Sequence, residues 1–212
     1  MILIYSYHFN SWPPLYPSQI AVITHSKVAF RVQTLSICYD NTGTMKLLSR
    51  LSILMITTLA CAGLDQSTKI LAQNHLQGHA SLSYFYRTIN FVYAENTGTM
   101  LGIGSGLPES LRFLFFVIVI GIALIVATAF VLLKPLNNLT VIAISLVIGG
   151  GISNLIDRLL RSGSVIDFML IKIGPIESGI FNVADIAITL GTCVLFFEIF
   201  KARKSTPLKL QD

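Results

Sequence analysis

Four apolar runs, each bounded by polar or charged residues, organise this chain. Leu51 to Leu64 carries no charge between Arg50 and Asp65 and extends to about Leu71. Phe113 to Leu133 is uncharged throughout. Leu139 to Ile156 lies between Asn138 and Asp157, and Asn182 to Phe200 holds Asp185 near its start and Glu198 near its end. About 20 apolar residues, rising 1.5 Å each, cross a hydrocarbon core of about 30 Å. The pattern therefore predicts membrane-spanning helices at about 48–71, 112–133, 139–158 and 182–201.

Between the first two runs the period changes. Ser81 to Tyr93 is rich in strand formers (Tyr84, Phe85, Tyr86, Ile89, Phe91, Val92, Tyr93), and Glu95-Asn96-Thr97-Gly98 reads as a turn. A small strand platform is expected over about 78–106, its aromatics either at lipid headgroup level or packed within the sheet. Residues 1–44 are different, with Pro13, Pro14 and Pro17 and no sustained apolar run. Met45-Lys46-Leu47-Leu48-Ser49-Arg50 reads as a natural start, so 1–44 is expected to be a disordered extension or the product of an upstream start codon. The expected fold is thus an all-α membrane protein, four helices with a small β platform over 45–204, followed by a short tail at 205–212.

Composition agrees with a membrane solvent: 53% of residues are hydrophobic, 12% are charged and the mean hydropathy is +0.72. A soluble domain carries about 25% charge. The net charge of +5 is modest and sits at helix ends, so no nucleic-acid partner is expected. Cys38, Cys61 and Cys193 form no CxxC pair, and His8, His25, His75 and His79 lack an HExxH frame. Neither a disulfide framework nor a metal site is implied, and no cofactor is expected.

An up-and-down path through four spans puts Asp65, Asp157, Asp167 and Asp185 on one side of the membrane. Lys46, Arg50, Lys134, Lys201, Arg203, Lys204 and Lys209 fall on the other. Basic flanks mark the cytoplasmic side, which predicts both termini inside and the aspartates outside. Asp185 lies 16 residues before Lys201, roughly 24 Å along a helix, just beneath the outer surface.

Acidic side chains near a bilayer are costly and point to function. Asp167 and Asp185 are 18 positions apart across a connection containing Gly174-Pro175 and Ser178-Gly179, which can fold back to bring them together. Two carboxylates sharing a site do not both ionise easily, so one keeps a proton while the other activates water. That is the chemistry of aspartic peptide hydrolysis; two such groups equally suit a proton or cation relay in a transporter. Asp65 and Lys69 have the i, i+4 spacing of a helical ion pair, and Asn154 neighbours Asp157 on one helix. Asp157 and Arg158 have a second reading, as local ion pairs anchoring a helix end. Ser67 is too close to Lys69 in sequence to face it as a hydrolase pair. Gly149-Gly150-Gly151 reads as a site of close helix packing.

Five motifs, Asp65-Gln66-x-Thr68-Lys69, Asn96-x-Gly98, Asn154-x-x-Asp157-Arg158, Val165-Ile166-Asp167-Phe168 and Phe181-Asn182-Val183-Ala184-Asp185, stand in the order seen in lipoprotein signal peptidases. Over roughly Met45 to Lys201 the chain resembles this family of intramembrane aspartic peptidases, signal peptidase II. The resemblance implies four transmembrane helices with an extracytoplasmic β-cradle and a neighbouring periplasmic helix, in a bacterial inner membrane. It implies cleavage of prolipoproteins before a diacylglyceryl-modified cysteine, by a monomer in contact with membrane lipids. The dyad would be Asp167 and Asp185. Asn96, Gly98, Asn154, Arg158 and Asn182 would hold the substrate and brace the dyad, with Asp65, Lys69 and Asp157 in support. Two departures bear on the pocket: the family's usual Ala-Ala-Phe is here Thr99-Met100-Leu101, and its usual glycine before Asn154 is Ser153. A presenilin-type protease would need a GxGD motif, which is absent. Thr58-Leu59-Ala60-Cys61 only loosely resembles a lipobox, with threonine rather than leucine at position −3, and three further spans follow it.

Overall fold

A computed structural model describes residues 47–99 and 103–204. The extension 1–44, Lys46, Met100, Leu101 and the tail 205–212 lie outside the described residues. Among the described residues four helices are long and apolar enough to cross a membrane: α1 (Leu47–Leu76), α2 (Glu109–Leu133), α3 (Asn138–Leu160) and α4 (Val183–Lys204, of which Val183–Lys201 is the candidate span).

α3 is the central helix. Half of its most apolar stretch is buried (50%), against 11% for α1, 11% for α2 and 17% for α4. Its three consecutive glycines explain how three neighbours reach it. A Cβ on Gly149 would stand 2.8 Å from the Cβ of Cys61 on α1. One on Gly150 would stand 2.5 Å from the Ala184 carbonyl on α4, and one on Gly151 2.6 Å from Leu124 on α2. Without side chains at these positions the helices approach closely, as membrane interfaces require.

The helix ends are closed by polar side chains. Asn137 caps α3 by accepting from the Thr140 amide at 2.8 Å. At the same end of the bundle, Arg50 of α1 donates to the carbonyls of Leu132 (3.3 Å) and Lys134, covering groups that the end of α2 leaves unpaired. α2 is interrupted by a π-helical stretch at Leu114–Val119.

At the opposite end sits a four-stranded antiparallel sheet in the order β1 (Leu82–Tyr84), β2 (Ile89–Asn96), β3 (Val165–Ile173), β4 (Ile176–Phe181). The platform expected at 78–106 is therefore only half of the sheet. The stretch between α3 and α4, read from sequence as a connection, supplies the other half as a hairpin. Its apolar run Val165–Ile173 suits a strand, and Gly174 turns the chain with φ +58°. Alternation along β3 decides which side chains face what. Ile166 and Phe168 pack on Ala72 and Leu76 in the last turn of α1, and Val165 and Asp167 line a cavity on the other face. α1 thus runs beyond the expected Leu71 to carry the sheet. No separate helix precedes α2 among the described residues: 103–106 is a turn, and Glu109–Phe113 leads directly into the span.

Candidate active site

The cavity beneath the sheet has a volume of about 500 Å³ and is lined by Asn96, Thr99, Asn154, Arg158, Asp167 and Asp185 among polar residues, with Ile120, Ile186, Ile188 and Leu190 among apolar ones. β3 supplies Asp167, opposite Ala94 of β2. Asp185 comes from the first turn of α4. Asn182 touches both. Its amide donates to Asp167 Oδ1 at 2.7 Å, and its side-chain oxygen accepts from the Asp185 backbone N–H at 3.0 Å. The Asn182 N–H in turn donates to Asp185 Oδ2 at 3.2 Å. This reciprocal pair is a capping box, with Asn182 as N-cap and Asp185 three residues on. The same local rule that starts α4 therefore orients one carboxylate of the pair.

The remaining oxygens of the pair are also held by amides. Asn96 donates to Asp167 Oδ2 at 3.0 Å, and Asn154 donates to Asp185 Oδ1 at 3.1 Å. Asn96 is itself fixed, accepting from the Gly98 N–H at 2.9 Å in an Asx-type turn. Arg158 donates to the Gly98 carbonyl at 2.8 Å and stacks over Phe116 at 5.5 Å from its centroid. Burial pushes the Asp167 carboxyl up from 3.8 to about 6; the amide of Asn96 opposes the rise and the Asp185 charge adds to it. Two carboxyl groups held this way can pass a proton to and from a water molecule between them.

A second acidic cluster lies behind the first. Lys69, fully buried, is 2.6 Å from Asp65 Oδ2 and 2.9 Å from Asp157 Oδ2, and donates to Asn154 Oδ1 at 2.9 Å. An ammonium only donates, so Asn154 must turn its oxygen to Lys69 and its NH2 to Asp185. Asp65 reaches across to the Ala184 N–H at 2.7 Å, satisfying another free donor at the start of α4. Asp157 accepts from the Ile166 N–H at 3.1 Å and so fixes the start of β3. Its ion-pair partners are Lys69 and, at 3.6 Å, Arg161; the local Asp157–Arg158 pair is not formed among the described residues.

All ten singled-out residues (Asp65, Lys69, Asn96, Gly98, Asn154, Asp157, Arg158, Asn182, Asp167 and Asp185) fall in these two connected clusters. Ser67 instead donates to its own helix at Gly63 (2.7 Å), away from Lys69. Three contributors went unassigned in the sequence reading. Gln66 donates to Asp157 at 3.0 Å and to Ser153 at 3.0 Å, and Ser153 donates to Asp65 at 2.7 Å. Phe116, the third, is the ring under Arg158. Gln66 and Ser153 stood inside or beside quoted motifs; nothing local marked Phe116. Of the two departures from the family pattern, Ser153 thus belongs to the rear cluster, whereas Thr99 lines the cavity. Among the described residues no group of three or more His, Cys, Asp or Glu side chains is arranged to hold a metal.

Comparison with known proteins agrees with this architecture. The profile of Signal peptidase (SPase) II matches residues 57–201. The lipoprotein signal peptidase of Borrelia hermsii (strain HS1 / DAH) is 34% identical over 151 residues, covering 68% of this chain and 88% of that protein. That of Syntrophus aciditrophicus (strain SB) is 34% identical over 155 residues, covering 73% and 96%. A bacterial membrane enzyme structure solved by the in meso method at 2.3 Å resolution superposes with a TM-score of 0.64 at 27% identity, covering 74% of this chain and 94% of that one. A second, at 1.9 Å, gives 0.60 at 28% identity. The transporter alternative finds no support in these matches. With its four apolar helices, small sheet and matched length, this multi-pass membrane protein belongs to the signal peptidase II family of aspartic-type peptidases.

Proposed function

We propose that this chain removes signal peptides from bacterial prolipoproteins, cutting before the diacylglyceryl-modified cysteine, with Asp167 and Asp185 as its catalytic dyad. One observation carries the reading: the two carboxylates border one cavity, share Asn182, and are bound only by amides. Neither has a cation within ion-pair distance among the described residues, so neither is locked in its charged form. The ionised member takes a proton from water as it attacks the scissile carbonyl. The protonated member donates to the developing oxyanion; the other, now carrying the proton taken from water, gives it to the leaving amine as the C–N bond breaks, while the first takes a proton back from the diol.

Asn96, Asn154 and Asn182 hold the carboxylates in register, and Arg158 fixes the Gly98 carbonyl at the cavity edge. The apolar lining from Ile186, Ile188 and Leu190 suits the hydrophobic core of a signal peptide. Lys69, Asp65 and Asp157 brace the site from behind. The basic flanks Lys46, Arg50, Lys134 and Lys201 support an orientation with both termini in the cytoplasm, which would put the dyad at the outer face, where lipoprotein signal peptides are exposed after insertion. Translation from Met45 is sufficient for the whole machinery, and the monomer is the working unit.

The test is cleavage of a diacylglyceryl-modified prolipoprotein by the purified chain, read as a gel shift. Conversion of the modified substrate, and none of the same precursor lacking the diacylglyceryl group, is expected. Equal cleavage of both, or of neither, rejects the substrate class. For orientation, a cysteine at position 178 should react with a membrane-impermeant thiol reagent in intact cells and one at position 209 should not, in a background free of native cysteines; the reverse pattern overturns the placement.

A further inference from the structure

A second cavity, of about 550 Å³, opens between the start of α2 and the end of α3 and is separate from the dyad. Its polar lining is Glu109, Ser110 and Arg112 from α2 and Arg158 and Ser162 from α3 and the turn after it. Its apolar lining includes Phe113, Val117 and Leu159. Glu109 is the first residue of one span and Leu160 the last of the next, so the cavity lies at the membrane boundary, where lipid phosphates stand. Phe113 (51%), one turn into α2, and Leu159 (58%), beside the end of α3, are exposed to the surroundings of the bundle, as an apolar surface against lipid would be.

Two cationic groups in this lining have unused donors. Arg112 makes no ion pair or hydrogen bond through its side chain among the described residues. Arg158 is buried (8% exposed); its terminal nitrogens donate to Gly98 and Asn154 carbonyls, while its Nε has no partner among the described residues. A buried guanidinium N–H without an acceptor is costly, and an anion in the cavity would satisfy it. Among the lining residues Glu109 offsets one of the two charges, leaving a net +1 that matches a single phosphodiester. Arginine forks suit phosphate oxygens, and the Ser110 and Ser162 hydroxyls can add donors.

We propose that this cavity is a binding site for the phosphate of a membrane phospholipid, its glycerol at the level of Phe113 and Leu159 and its chains running deeper along α2. The site does not depend on the catalytic reading. Because Arg158 borders both cavities, an occupied headgroup site also fixes the guanidinium that holds Gly98 beside the dyad.

The test is native mass spectrometry of the purified full chain in detergent micelles, titrated with dioleoylphosphatidylglycerol. Dioleoylglycerol, with the same chains and no phosphate, is the comparison ligand, and inorganic phosphate is the competitor. One retained phosphatidylglycerol per chain is expected, bound at least about tenfold more tightly than dioleoylglycerol and not displaced by millimolar phosphate. Arg112→Gln should weaken retention about tenfold and Arg112→Glu further, as losing a hydrogen bond to a charged group implies. Arg87→Gln, which removes a cation on the exposed β1–β2 turn, should change nothing. Thermal unfolding in the same micelles checks folding; should Arg112→Glu fail to fold, Arg112→Gln, which keeps size and polarity, carries the test. Equal retention of the two lipids, indifference to Arg112→Gln, or equal weakening by Arg87→Gln overturns the site. Displacement by inorganic phosphate overturns its assignment to lipid.

Discussion

Two pairs of aspartates stand within one connected network, and their surroundings differ in kind. Asp65 and Asp157 share the ammonium of Lys69, at 2.6 Å and 2.9 Å, with all three side chains almost completely buried. Asp167 and Asp185 meet only amides, from Asn96, Asn154, Asn182 and the backbone. A carboxylate paired with a buried cation is committed to that ion pair, and here its other contacts fix helix and strand ends. A carboxylate facing neutral donors can still exchange its proton. The rear pair is suited to bracing and the front pair to chemistry, and Asn154 connects them, taking its orientation from Lys69 and presenting its NH2 to Asp185.

The largest effect on stability should come from removing the shared cation. Lys69→Met leaves the buried Asp65 without a cation and Asp157 with only the longer Arg161 contact at 3.6 Å, at a cost of about 3–5 kcal/mol. The variant should unfold at a much lower temperature or fail to insert, and adding Asp157→Asn should restore part of the loss. Unfolding at the wild-type temperature would erase the distinction between the pairs.

A pH titration separates them further. With its folded-state value near 6 and its unfolded value near 3.8, Asp167 binds its proton more tightly in the folded protein. Both states are protonated below about pH 4, so there it has no effect; between about pH 4 and pH 6 the unfolded state ionises first and stability falls, by about 3 kcal/mol in full. Asp167→Asn cannot titrate. The stability of the wild type relative to this variant should therefore decline as pH rises through that window. A difference that stays flat with pH contradicts the assigned environment.

Asn182→Ala should cost less, about 2 kcal/mol, by removing the cap of α4 and the amide on Asp167. Its effect on turnover should exceed its effect on substrate affinity, because both carboxylates lose their common partner. A change confined to KM would assign Asn182 to substrate binding instead.

Much of this was legible before the structure. The apolar runs placed four helices, and an even number of spans put the four aspartates at one end whichever way the chain is oriented. The Asp65–Lys69 spacing predicted an ion pair that is present at 2.6 Å. Its second arm, to Asp157, was not legible, because a contact between residues 88 apart depends on how two helices are rotated, which Gly149 and Cys61 settle only by packing. The hairpin of β3 and β4 is hidden in the sequence because its glycines and proline read as a loose connection. The capping box was available: an asparagine, an acid three residues on and an apolar run are a helix-start signal. Its sequence signal is ambiguous because Asp185 serves both as the capping acid and as a carboxylate facing the cavity.

The most direct test of the division between the pairs is turnover of purified Asp167→Asn and Asp185→Asn on a diacylglyceryl-modified prolipoprotein, alongside Asp65→Asn. Each dyad variant should insert and fold yet lose activity about 10³-fold or more, since an amide can neither take nor give the proton. The double variant should be little worse than either single one, as groups acting on one water require. Asp65→Asn should lose stability while keeping measurable cleavage. Near-normal turnover by either folded dyad variant would contradict the account.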